Sequence, residues 1–269
     1  KKGSPKIALN MSMVKTIMWD KGPDYTFERV KAAGLSYFEL SQVDMTDEYI
    51  DQVLEASAKH GVTVMSTSLN YKPLFGPNAK GFDVEKDMDR IIAANKRLGV
   101  TYVRDSLIPS ICIHNEEGYY KAAEDLNRYG KILKENGLKL YYHNHHFEFM
   151  RSNNGKLYLE RLAEDFTPEE LGFTLDTYWV QYSGGNPAEW IQKFSGRVPC
   201  IHLKDLAIVN REQRMAVVGE GNINFDAVLN AAESAGTEYA LVEQDSCYDE
   251  NPFDCLKRSY QNLVSMGLK

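Results

Sequence analysis

The chain holds four cysteines in 269 residues, Cys112, Cys200, Cys247 and Cys255, and no two of them stand in a CxxC spacing. Neither a disulfide-stapled scaffold nor a zinc–thiolate site is indicated. There is no apolar run approaching the roughly 20 residues needed to cross a bilayer, so no membrane span is expected. Basic charge is also short: 31 Lys and Arg against 38 Asp and Glu leave a formal net charge of −7. Non-specific binding to nucleic-acid phosphates depends on clustered Lys and Arg that displace counterions, so a nucleic-acid partner is not expected. A small, neutral or locally neutralised substrate fits better. No glycine-rich phosphate loop follows the first strand-like run, Lys6–Asn10, where Asn10-Met11-Ser12-Met13 stands instead. That counts against a doubly wound nucleotide-binding sheet.

What is present is a repeating unit. Hydrophobic residues make up 43% and charged residues 26%, a globular balance. Glycine punctuates one junction after another: Gly34 before Tyr37–Leu40, Gly61 before Val62–Met65, Gly99 before Val100–Val103, Gly137 before Leu138–Tyr142, and Gly236 before Glu238–Val242. Each glycine is placed to end a helix in the left-handed region, and each run after it has the length and composition of a buried parallel strand. Lys6–Asn10, Leu171–Leu175 and Val198–Leu203 complete a set of eight strands. Residues 83–98, 117–136 and 225–235 show the apolar spacing of helices between them. The expectation is one (β/α)₈ TIM barrel spanning 1–269, with no linker rich in Pro, Gly or Ser to divide it. Its longest loops are expected after the third, fourth and seventh strands, on the face where barrels keep their active sites. The start at Lys1-Lys2-Gly3 is compatible with a removed leader, which leaves the compartment open between cytoplasm and periplasm. A homo-oligomer is compatible with the composition.

On that face a polar residue at the end of an otherwise apolar strand is a candidate for chemistry. Four consecutive strands end this way: Tyr142-His143-Asn144-His145-His146-Phe147-Glu148-Phe149, Leu175-Asp176-Thr177, Ile201-His202-Leu203-Lys204-Asp205 and Val242-Glu243-Gln244-Asp245. Carboxylates and imidazoles from adjacent strands converge above the barrel axis. One divalent metal ion is therefore expected, and a mixed nitrogen and oxygen set suits manganese, zinc, cobalt or iron(II) better than magnesium. Structural roles compete with this reading. Neighbouring strand residues alternate faces, so His143, His145 and His146 cannot all point inward, and His143 or His145 is expected in the site. Asp176 as a mere helix cap is disfavoured, because the next helix is expected to begin near Asn186-Pro187. His202 has a core role as its alternative. Glu243 follows Ala240-Leu241-Val242 and would be costly to bury unpaired, which favours a ligand or ion-pair role.

These four segments, with Tyr178-Trp179, Gly196-Arg197 and Gly219-Glu220-Gly221-Asn222-Ile223-Asn224-Phe225, resemble the xylose-isomerase-like barrel superfamily, in particular its sugar phosphate isomerase/epimerase group. The resemblance covers nearly the whole chain. It implies a divalent metal held by Glu, Asp, His and Glu from the fifth to eighth strands, which maps onto Asp176, His202 and Glu243. Where many relatives end the fifth strand in Glu, this chain has His143, and its nearest carboxylate is Glu148. Either Glu148 curls back to the metal or an imidazole, His143 or His145, replaces it. Glu148 is the favoured ligand, because proton transfer needs a second carboxylate. Glu148 and Glu243 are then the acid/base pair.

Other polar groups at strand ends are candidate substrate contacts: His143, His145, Lys204, Arg104, Glu39 and Trp179. Arg104 and Glu39 have a mutual salt bridge as their alternative, and Trp179 a core role. Lys204 lies two residues past His202 and so points the same way. The glycines of Gly219-Glu220-Gly221 permit close backbone approach at the rim.

A substrate carbonyl held at such a metal acidifies the neighbouring C–H, so one carboxylate can remove the proton and another return it elsewhere. The expected activity is sugar isomerisation or epimerisation through an enediolate. The same abstraction followed by loss of a β-leaving group gives a lyase, dehydratase or hydrolase acting on an inosose or 3-keto-glycoside. An apurinic-site endonuclease would need more metal ligands and a basic surface, and six histidines with a charge of −7 speak against it. A non-catalytic barrel would be expected to have lost a convergent ligand.

Overall fold

The computed structural model describes residues 3–71, 76, 78–105 and 110–269. Eight parallel strands close into a barrel: β1 (Lys6–Asn10), β2 (Tyr37–Leu40), β3 (Thr63–Ser68), β4 (Tyr102–Arg104), β5 (Lys139–His143), β6 (Gly172–Asp176), β7 (Cys200–Leu203) and β10 (Tyr239–Val242). Each pairs with its neighbours in chain order, and β10 returns to β1 with Ala8 beside Leu241. The barrel is thus the (β/α)₈ fold expected from the alternation of strands and helices.

The five junction glycines all have positive φ, from 67° at Gly61 to 113° at Gly34. A side chain there would meet the left-handed penalty, so glycine ends the helix and turns the chain into the next strand. Helices Asp47–His60 and Met88–Leu98 end in this way at Gly61 and Gly99.

The strand period of two sorts the barrel interior into layers. Ala8, Met65, Cys200 and Leu241 form a small apolar cluster, with Tyr37, Tyr102 and Tyr239 packed against it. Two residues further along β1, β7 and β10 stand Asn10, His202 and Glu243, all buried and polar. The barrel is therefore floored by hydrocarbon and topped by charge.

Three departures from expectation matter for the site. The chain between β7 and β10 contains an antiparallel hairpin, β8 (Asp205–Val209) and β9 (Glu212–Ala216), where an irregular loop is expected. Its turn residues Asn210 and Arg211 have φ of 52° and 70°, the double left-handed conformation of a tight hairpin turn. A six-residue helix, Thr177–Tyr182, precedes the expected one at Pro187–Lys193, and Asp176 caps it by accepting from Trp179 N. The helix expected over 83–98 begins at Met88. Parts of the long loops expected after the third and fourth strands, residues 72–75, 77 and 106–109, as well as Lys1 and Lys2, lie outside the described residues. No helix among the described residues is long and apolar enough to cross a membrane.

Candidate metal centre

His143, Asp176, His202 and Glu243, at the ends of β5, β6, β7 and β10, each turn one donor atom to a point where all four lie within 4.8 Å of one another. All four side chains are buried. His143 Nε2 is 3.1 Å from Asp176 Oδ2, and His202 Nδ1 touches Glu243 Oε2. Asp176 serves two purposes, because Oδ1 caps the short helix while Oδ2 faces the cluster. Capping and convergence are therefore compatible.

Surrounding groups hold these four in place. Asn144 Oδ1 accepts from Asp176 N at 2.8 Å, and Asp105 Oδ1 accepts from His143 N. On the opposite side of the barrel Glu39 Oε1 receives Asn10 Nδ2 at 2.5 Å and Arg104 Nε at 2.9 Å, and lies 3.1 Å from His202 Nε2. With Nε2–H donating to Glu39, His202 turns Nδ1 to the cluster, where loss of the Nδ1 proton would free a lone pair for a metal.

Burial opposes charge on Glu39, but Arg104 and His202 outweigh it and hold the carboxyl well below its usual range. Burial likewise opposes charge on Asp176 and Glu243, and the Lys204 ammonium leads the groups that keep both ionised. His143 is pushed down to about 4 by burial and by the neighbouring His202, which leaves a neutral imidazole with a lone pair to give. His202 is held up at about 9, because Glu243 and Glu39 overcome the cost of burying its charge.

The donor set fits a divalent cation. His202 Nδ1 is buried directly against a Glu243 carboxylate oxygen, a contact that a proton or a cation between them must stabilise. A divalent cation would take the place of that proton and use both atoms as donors. Asp176, Glu243 and Asp245 outnumber the Lys204 ammonium that they surround, and the excess of negative charge would favour a cation. Two imidazole nitrogens and two carboxylate oxygens suit manganese, iron(II), cobalt or zinc.

Glu148, expected as the fifth-strand ligand, stands outside this set. Its Oε1 accepts from Tyr142 Oη at 2.6 Å and its Oε2 from His145 N at 2.9 Å, so the carboxyl is spent on holding the loop after β5. His143 occupies the position expected for Glu148, because it ends the strand and faces inward, whereas Glu148 lies in a short turn that folds back beneath His145.

Above the cluster lies a cleft whose lining includes Ser12, Gln42, Arg104, His145 and Asp245 beside His143 and Glu243. His145 packs edge-on to His143 at 4.7 Å between ring centres. Trp179 is half-buried, with its ring 5.5 Å from Lys204 Nζ. Glu39 is fully buried and holds Arg104 and His202 from below the cleft. Gly219 N and Gly221 N each donate to Asp205 Oδ2 at 2.9 Å, which ties the glycine-rich loop to the start of the hairpin. Sequence reasoning assigned no role to Asn10, Asn144 or Asp245. For Asp245 a signal existed, since it lies two residues past Glu243 and shares its direction.

Fold and site together define a barrel enzyme class with a candidate metal centre at the C-terminal ends of its strands. A model of the xylose isomerase-like TIM barrel family matches residues 27–254, and the chain belongs to that family. Inosose dehydratase from Clostridium perfringens is 30% identical over 148 residues, which cover 49% of this chain and 48% of that protein. The match thus spans about half the length of the curated relative. Among solved structures, a sugar phosphate isomerase/epimerase from Parabacteroides distasonis superposes with a TM-score of 0.77 at 20% identity, covering 97% of this chain and 98% of that one. The 3-keto-D-glucoside 4-epimerase of E. coli gives 0.69 at 16% identity, covering 97% and 99%. Both share the fold.

Proposed function

We propose that the chain is a divalent-metal-dependent enzyme that moves a proton next to the carbonyl of a sugar-like substrate, with isomerisation or epimerisation as the outcome. The observation that carries this reading is the convergence of four buried donors, His143, Asp176, His202 and Glu243, beneath an open cleft. These four residues would hold the ion. Bound there, a divalent ion supplies Lewis acidity that polarises a carbonyl and acidifies the adjacent C–H.

The chain's own groups then divide the work. Glu243 and Asp245 both line the cleft, with Lys204 between them at 2.7 and 2.9 Å, so proton removal and return are assigned to these three. Glu148 does not line the cleft, and its role is to position His145. His145 and Arg104, which line the cleft, would receive substrate hydroxyls, and the ring of Trp179 beside His145 would meet the substrate's apolar face.

Elimination of a β-leaving group is the second reading. It begins with the same proton abstraction, and it is favoured by the kinship with inosose dehydratase. The two separate in one experiment. Metal-loaded protein in D₂O is given a ketohexose, an inosose and a 3-keto-glucoside, and deuterium uptake and products are followed by NMR. Deuterium entering beside the carbonyl, and lost in Glu243→Gln, is expected for either reading, while an unsaturated product or a freed aglycone marks elimination. No exchange with any of the three overturns both.

A further inference from the structure

Lys204 is 1% exposed, and its ammonium lies among the proposed ligands. Nζ is 2.7 Å from Glu243 Oε1 and 3.1 Å from Asp176 Oδ2. The same nitrogen is 2.9 Å from Asp245 Oδ2, on a side chain that is 42% exposed and lines the cleft. A lysine ammonium is a compact cation with three donors and no acceptor. It meets these carboxylates as a small cation would and adds no lone pair to the donor set. A divalent ion sharing Asp176 and Glu243 would face that positive charge at close range, in surroundings where salt screens little.

We propose that Lys204 is a built-in competitor for the metal, and that Asp245 is the carboxylate onto which its ammonium withdraws when the metal binds. This rests on the reading of His143, Asp176, His202 and Glu243 as the metal site. The ammonium stays charged throughout, and only the carboxylates that it neutralises change. Without metal, Lys204 spares Asp176 and Glu243 the cost of being buried as unpaired anions. With metal, the four-carbon stem of Lys204 lets Nζ turn from Asp176 and Glu243 toward Asp245, where it is already in contact. There the ammonium borders the cleft and can donate to a substrate oxygen. Metal affinity is thus set by an exchange of cations.

The test uses metal alone. Chelator-stripped protein is titrated with Mn(II) and Zn(II) by calorimetry, for the wild type, Lys204→Met, Asp245→Asn and the double variant. Lys204→Met is expected to bind at least about tenfold more tightly, Asp245→Asn several-fold more weakly, and the second effect to shrink to about twofold or less in the Lys204→Met background. A residue of merely structural importance would not produce that non-additivity. Lys204→Gln serves if the methionine variant does not fold, and Lys204→Arg, which keeps the charge, is expected to stay near wild-type affinity. Affinity unchanged or weaker in both Lys204→Met and Lys204→Gln overturns the proposal. So does an undiminished Asp245→Asn effect in the double variant. Binding by Lys204→Met where the wild type shows none supports competition, whereas no binding in any of the proteins overturns the metal site itself.

Discussion

The Glu148 carboxyl is bonded to Tyr142 Oη and His145 N and stands apart from the four converging donors, which we read as the place of a strut. Burial pushes it up to about 7, against an ordinary value of 4.5, and the hydrogen bonds from Tyr142 Oη and His145 N only partly offset that. Protonated, it can donate to Tyr142 Oη and still accept from His145 N. The folded state holds this proton more tightly than the unfolded chain, so stability is full below about 4.5 and is lost as pH rises through about 7. The loss amounts to roughly 3 kcal/mol by linkage. Glu148→Gln mimics the protonated form, its amide donating to Tyr142 and its carbonyl accepting from His145. It is expected to remove this pH dependence from urea unfolding curves and to keep metal uptake, measured by elemental analysis, while His143→Gln loses the metal. A metal-free Glu148→Gln protein would return Glu148 to the ligand set. The sequence left this contest open for a physical reason. A period of two says that His143 and His145 share a direction within a strand, but β5 ends at His143, and beyond a strand's end parity no longer places a side chain.

At the scale of elements, the strands were legible because buried parallel strands are apolar runs closed off by helix-ending glycines, and β1 and β2 lie at the boundaries read from the sequence. The hairpin β8–β9 was not, since its turn is Asn210-Arg211 and only the first of these residues is at ease at positive φ. What anchors the hairpin is Asp205, whose carboxylate accepts from Leu206 N, Gly219 N, Gly221 N and Ile223 N. A Cβ on Gly221 would lie 2.4 Å from Leu206 O and 2.5 Å from Asp205 Oδ1. Neither atom can retreat without breaking the clamp. Gly221→Ala is therefore expected to destabilise the protein by about 1–3 kcal/mol, read from the urea midpoint. Gly3→Ala, with nothing within 4 Å of its added Cβ, is the neutral control. Equal midpoints for the two variants would show that the loop does not depend on this close approach.

The whole barrel links its two halves through the polar layer. The proposed ligands come from β5, β6, β7 and β10, while Glu39 of β2 reaches across the interior to His202 and is itself paired with Arg104 of β4. Pairing of β1 with β10 closes the ring, so no strand edge within it is free to fray. An ion held at the centre by four strands binds only the folded barrel, and its binding energy becomes global stability. At a free metal concentration one hundred times Kd the gain is about 2.7 kcal/mol, which for a chain of this size raises the melting temperature by roughly 5–10 °C. We expect Mn(II) added to chelator-stripped protein to produce that rise by calorimetry, and Asp176→Asn to abolish it. A shift that persists in Asp176→Asn would place the stabilising ion elsewhere, and melting that is identical with and without metal would leave the four donors as a buried ion-pair network. In the expected case the shift moves the entire transition and splits off no second one, because the metal, Glu39 and the β1–β10 seam hold the same layer from opposite sides of the ring.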